Sequence, residues 1–203
     1  FGGALEPKLI TTELKAAIER QRPLRFAIAA AVLLALGVGL RRARDGIMSL
    51  MLAGPDELVA RHDALLSALS SRIFRISARV GDGARTKLVN NLAAGINLVA
   101  AAEVLAMARV MGLNLGRTLD VIEQSSGQSW IGSDRMRRAI AGDYAPRAHM
   151  TLLEKDTHLA LQAAQAAGYS GPLGAAAAQV FARASAAGLA DLDDAALLRW
   201  LEE

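Results

Sequence analysis

Cysteine is absent from the 203 residues, which removes a disulfide framework and any thiolate metal site and suits a reducing cytoplasm. Aromatic residues make up only 4 %, too few for a surface that reads nucleic acid by stacking bases on rings. Charge of one sign is also scarce. The formal balance is +3 without a dense basic run, so no nucleic-acid partner is indicated. His62, His149 and His158 are scattered without metal-ligand spacing, so no metal is expected. Ser126, Ser129 and Ser133 lack a nucleophile-elbow context, which argues against a hydrolase triad. No fixed-period repeat is present.

Complete dinucleotide fingerprints are missing too. Gly81-x-Gly83 follows an expected strand and opens a helix, but Thr86 stands in the sixth position, where a third glycine is required. Gly37-Val38-Gly39 fails in the same way, with Arg42 in the sixth place. Neither is a pyrophosphate loop.

What is present is a globular composition, 53 % apolar and 21 % charged, in a length that suits one large or two small domains. Near the start, Thr11-Thr12-Glu13 can cap a short helix that Pro23 ends. Residues 26–40 are uninterruptedly apolar, shorter than the roughly 20 residues of a membrane span. They read as a buried strand or helix, with a membrane segment or a stretch foreign to the native chain as the other readings. Residues 47–54 form a short apolar run between glycines, a buried strand. Pro55-Asp56-Glu57 then opens a helix, and Arg72-Ile73-Phe74-Arg75-Ile76-Ser77 alternates as a second strand. Strand, helix, strand is an α/β unit.

After Gly83 the chain reads as helix: a long one that ends near Gly112 and is apolar from about 88 to 111, then 115–125, 131–140, 152–167, 173–187 and 191–201. The first of these is apolar nearly all round, which predicts burial on every side. The expected class is therefore mainly α: an all-helical domain (79–203) around a long buried helix, preceded by a partial α/β segment (1–78) whose residues 1–40 are atypical.

Polar residues on that helix stand out. Lys87 is expected on its first turn, where the partial positive charge of a helix N-terminus disfavours a cation; that field, with burial, would lower the amine's pKa. Asn91, four residues on, shares its face. An amine that moves a proton and an amide that fixes an oxygen would point into one site. The alternative is a solvated lysine beside a helix cap. Lys155-Asp156, on another helix, has the look of an ordinary surface ion pair.

From about Gly46 onward the chain resembles the β-hydroxyacid dehydrogenase family. The resemblance rests on Ala43-Arg44-Asp45-Gly46 leading to Leu50-Met51-Leu52-Ala53-Gly54, and on Gly81-x-Gly83-x-x-x-Lys87-x-x-Asn90-Asn91. It continues through residues 103–108 before Gly112-Leu113, then Ser125-Ser126-Gly127-Gln128-Ser129 and Leu152-x-x-Lys155-Asp156. It implies a Rossmann domain that holds NAD or NADP and a helical domain that supplies a catalytic lysine. Lys87 matches that lysine, which exchanges a proton with the substrate's 3-oxygen. Asn91 matches the residue that holds the hydroxyacid, with Asn90 beside it. Lys155 matches the cofactor-contacting lysine, with Asp156, and Gly83 falls in the same group. Counting back from Gly46 places Gly39 at the substrate-carboxylate contact, although the family's serine there is replaced by Gly37.

The glycine-rich nucleotide loop of the family is absent from these residues, as a truncated gene, a shifted reading frame between residues 1 and 40 or a divergent end would each leave it. The leading expectation is an NAD(P)-dependent 3-hydroxyacid dehydrogenase acting on a small hydroxyacid, cytoplasmic, without a membrane. A homodimer or homotetramer through the helical domain is implied. The other reading is a non-catalytic helical dimerisation module derived from the same family.

Overall fold

The computed structural model describes residues 48–203. The expectations placed on 11–23, on the apolar run 26–40 and on Gly39 lie outside the described residues. The fold is mainly helical with a short parallel sheet. The chain divides into two compact units between Ala84 and Arg85.

In the first unit β1 (Ser49–Ala53) pairs in parallel with β2 (Arg72–Ser77), Leu50 opposite Ile73 and Met51 opposite Phe74, with a bulge between Leu52 and Ala53. Parallel neighbours need a crossover, usually helical. Two helices supply it, α1 (Asp56–Arg61) and α2 (Asp63–Leu69). The single helix expected there is interrupted at His62, whose φ of −107° ends one and starts the other. Leu50 and Leu52 are buried, whereas Phe74 on the edge partner is exposed. Arg75 ties β2 to the crossover, with its Nη1 donating to the Ser77 carbonyl at 2.6 Å and its Nη2 to Asp56 at 2.5 Å.

Gly81 then turns the chain with φ 95°, a conformation that glycine alone adopts at no steric cost. Asp82 begins α3 (Asp82–Val110) and accepts a hydrogen bond from Ser77 Oγ at 2.7 Å. Its carboxylate suits the positive end of the helix. A Cβ on Gly83 would lie 2.3 Å from the Met51 carbonyl oxygen, so the close approach of two backbones requires glycine there.

The second unit contains the rest of α3, then α4 (Leu115–Glu123), α5 (Trp130–Ile140), α6 (Met150–Ala166) and α7 (Pro172–Ala184). A π-helical turn (Ser185–Leu189), a 3-10 turn (Asp194–Ala196) and α8 (Leu197–Leu201) complete it. Asn114 caps α4 and Ser129 caps α5, each accepting a backbone N–H on its side-chain oxygen. The helix expected over 173–187 ends earlier as an α-helix, at Ala184, and the chain turns at Gly188 with φ 93°.

Leu98, Ala102 and Leu105 of α3 share one helical face and are fully buried with Phe181, Met136, Met150 and Leu197. All-round burial of α3, expected from its composition, is not observed. Val89 is 70 % exposed, Met107 57 % and Val110 90 %. Composition alone could not tell a helix covered on every side from one with a second, uncovered apolar face. Among the described residues α3 is the one helix long and apolar enough to cross a membrane, by length and composition only.

Where α6 crosses α3 a small residue is essential. A Cβ on Gly95 would meet Thr157 Cγ2 at 2.6 Å and Phe181 Cε2 at 3.3 Å. Thr157 is fully buried and its hydroxyl is satisfied by the Leu153 carbonyl at 2.7 Å, so its methyl is held against the α3 backbone. This packing brings the polar stretch of α6 onto the polar stretch of α3.

Candidate functional site

Lys87 is the sixth residue of α3, on its second turn, one turn further in than expected. It is half-buried, and its amine is held below the ordinary lysine range, first by loss of water and against the upward pull of the Asp156 carboxylate. Of the two causes expected, the helix-end field and burial, burial is the one that acts here. The field of a helix end fades within its first turn; burial carries the shift.

Asn91 lies one turn along and is buried. Its Nδ2 donates to Asp156 Oδ2 at 2.6 Å, the strongest contact in the group, since the acceptor is charged. Asn90 is exposed and donates from its Nδ2 to Asn91 Oδ1 at 3.3 Å. Asp156 is buried on α6, and its other oxygen, Oδ1, lies 3.3 Å from Lys155 Nζ. The Lys155 side chain is 58 % exposed, so that ion pair is worth little and leaves the ammonium able to reach a ligand.

Lys87, Asn91, Asn90, Asp156 and Lys155 therefore come together in the second unit. Gly83 belongs to the first unit, where its contact is with Met51. The doublet at 155–156 is more than a surface ion pair: one member is buried and bonded 65 residues back along the chain. Nothing in the sequence reading marked Thr157 or Gly95. The available signal was an isolated glycine inside a long helical pattern, which implies close approach of a neighbour.

A second polar cluster joins α5 to the 3-10 turn. Asp193 and Asp194 are fully buried; Arg138 Nη1 lies 2.8 Å from Asp193 Oδ1 and Arg135 Nε 2.6 Å from Asp194 Oδ1. Asp193 also accepts the backbone N–H groups of Arg147, Ala148 and Ala195. It fastens the 3-10 turn to the loop before α6. Among the described residues no three His, Asp or Glu side chains gather where a metal ion could be held.

The grouped amine, amide and ion pair can hold an anionic, hydroxyl-bearing molecule and exchange a proton with it. The family profile described as NAD-binding of NADP-dependent 3-hydroxyisobutyrate dehydrogenase matches residues 81–201. An L-threonate dehydrogenase of Cupriavidus necator is 35 % identical over 161 residues, covering 79 % of this chain and 54 % of that protein. The crystal structure of 3-hydroxyisobutyrate dehydrogenase from Salmonella typhimurium superposes with a TM-score of 0.74 at 34 % identity, over 80 % of this chain and 57 % of that one. The Mycobacterium tuberculosis 3-hydroxyisobutyrate dehydrogenase, solved with L-serine, gives 0.74 at 28 % identity, over 81 % and 58 %. The chain spans about half the length of the curated relatives it matches. On the profile match across most of its helical part, the chain belongs to the NADP-dependent 3-hydroxyisobutyrate dehydrogenase family.

Proposed function

We propose that this chain carries the proton-transfer and association part of an NAD(P)-dependent 3-hydroxyacid dehydrogenase, with Lys87 as the general base and acid. One observation carries this reading: a half-buried amine with a lowered pKa sits one helical turn from a buried amide fixed by a carboxylate. Burial makes the neutral amine accessible closer to neutral pH, so it can take the hydroxyl proton; the ammonium returns it in the reverse direction. Asn91, with Asn90 beside it, holds the hydroxyacid. Gly39 is assigned to the substrate carboxylate by the resemblance alone.

Lys155 supplies an exposed ammonium beside the site, and such a cation suits the polyanionic dinucleotide. Lys155, with Asp156 beside it, would hold NAD or NADP; Gly83, in the first unit, is assigned to the cofactor by the resemblance alone. When bound, the nicotinamide accepts or supplies the hydride. The relatives are named for L-threonate and 3-hydroxyisobutyrate, which supports a short hydroxyacid as substrate. The uncovered apolar face of α3 supports self-association, as a dimer or tetramer, and the lack of cysteine supports a cytoplasmic setting.

The test is calorimetric titration of the full chain with NAD and NADP, followed by turnover of both hydroxyacids. Saturable binding and turnover are expected, and Lys87→Ala should lower turnover by about 10²–10⁴-fold with an unchanged melting profile. Absence of dinucleotide binding in a folded sample would favour the non-catalytic association module instead.

A further inference from the structure

The carboxylate of Asp156 faces inward, onto Asn91, and this gives it a task of its own. Asn91 Nδ2 donates to Asp156 Oδ2 at 2.6 Å, while Asn91 Oδ1 accepts from Asn90 at 3.3 Å. An ionised carboxylate can only accept. Were the Asn91 amide turned over, its carbonyl oxygen would face Asp156 Oδ2, acceptor against acceptor, in a buried place where such a mismatch is costly. Lys155 neutralises the far oxygen, so the buried charge is tolerated while the near one remains committed to the amide.

We propose that Asp156 is a positioning residue that fixes which way round the Asn91 amide is held, and so what the site offers a bound hydroxyacid. With one Nδ2 hydrogen given to Asp156 and one lone pair of Oδ1 taken by Asn90, the amide has one N–H donor and one lone pair left. The donor suits a substrate oxygen and the lone pair suits a hydroxyl hydrogen. This proposal takes its ligand class from the dehydrogenase reading, but the amide orientation is a property of the chain without ligand. A failure of either is therefore seen separately.

The same carboxylate has a second reach. Its charge acts on Lys87 and opposes the effect of burial on that amine. A role confined to tying α6 to α3 would survive Asp156→Asn, which keeps an acceptor oxygen of the same shape in place but removes the charge.

The experiment uses the full 203-residue chain, labelled with nitrogen-15, without ligand. In the native chain the two Nδ2 hydrogens of Asn91 should resonate far apart, with the one bonded to the carboxylate downfield. In Asp156→Asn that separation should shrink. Lys87 should also react severalfold faster with an amine-reactive ester at fixed pH, because losing the neighbouring negative charge favours the neutral amine. The chain has four lysines, Lys8, Lys15, Lys87 and Lys155, so each labelled site is read apart by mass spectrometry. If a folded Asp156→Asn chain leaves both the amide separation and the Lys87 reactivity unchanged, the proposal is overturned. Should that variant fail to fold, the native spectrum decides: two Asn91 amide hydrogens at ordinary, closely spaced positions would overturn it equally.

Discussion

Two aspartates side by side, Asp193 and Asp194, show how neighbours divide the titration of identical groups. Burial pushes Asp193 up, yet the Arg138 bond and the backbone N–H groups of Arg147, Ala195 and Ala148 outweigh it and hold the carboxyl down at about 2. In Asp194 burial is the larger effect and, with the neighbouring Asp193 carboxylate, pushes the carboxyl up to about 7 against the pull of Arg135. The consequences for stability have opposite signs. Asp193 contributes stability above the ordinary carboxyl value of about 3.9, and that contribution is lost as the pH falls toward 2. Asp194 keeps its proton in the folded chain where the unfolded chain has already released it. Its contribution therefore declines as the pH rises from about 3.9 to about 7, by something on the order of 4 kcal/mol. Thermal melting at pH 5 and pH 7.5 checks this. The native chain should lose more stability over that interval than Asp194→Asn, and parallel profiles would show that Asp194 is already ionised.

The crossing of α3 and α6 is where packing, and not propensity, places the site. Gly95→Ala would improve helix propensity by about 1 kcal/mol, but its Cβ would stand 2.6 Å from the Thr157 methyl. Overpacking of this kind costs about 1–3 kcal/mol, so a net loss is expected by urea unfolding. Thr157→Ser removes that methyl and keeps the hydroxyl bonds to α6. In the double variant the loss should disappear, and additive losses would mean that the contact is not what restricts position 95. Gly83 is the parallel case in the first unit. There the obstacle is the Met51 backbone oxygen at 2.3 Å, which has no flexible end to move, so Gly83→Ala should destabilise that unit with no second-site relief. Much of this organisation was legible in the sequence. The strand, helix, strand order and the helix starts expected at 115, 131 and 173, each within one residue of the observed start, follow from periodicity and breakers, which act over a few residues. The start of α3 is legible too, from the two glycines that lead into it, although Lys87 falls one turn further in because Asp82 already belongs to the helix. The pairing of Asn91 with Asp156 was beyond spacing altogether, because it joins groups 65 residues apart and depends on Gly95 letting two helices approach.

Among the described residues, α3 has a covered and an uncovered apolar face. The sequence of α3 is apolar on both, and only tertiary packing distinguishes the buried row of Leu98, Ala102 and Leu105 from exposed Met107 and Val110. If a second copy covers that face, Met107→Asp with Val110→Asp should convert an oligomer to a monomer by light scattering while far-ultraviolet dichroism stays unchanged. An unaltered mass would place the association elsewhere. The proposed function turns on one amine, and its ionisation can be read directly. Carbon-13 labelling of the lysines, followed by a pH titration of the Lys87 ε-carbon in the folded chain, measures it. The account predicts a midpoint for Lys87 below the ordinary lysine range, driven by burial. A midpoint at or above the ordinary value of about 10.4 would contradict it, because an amine that stays fully protonated at working pH cannot serve as the base.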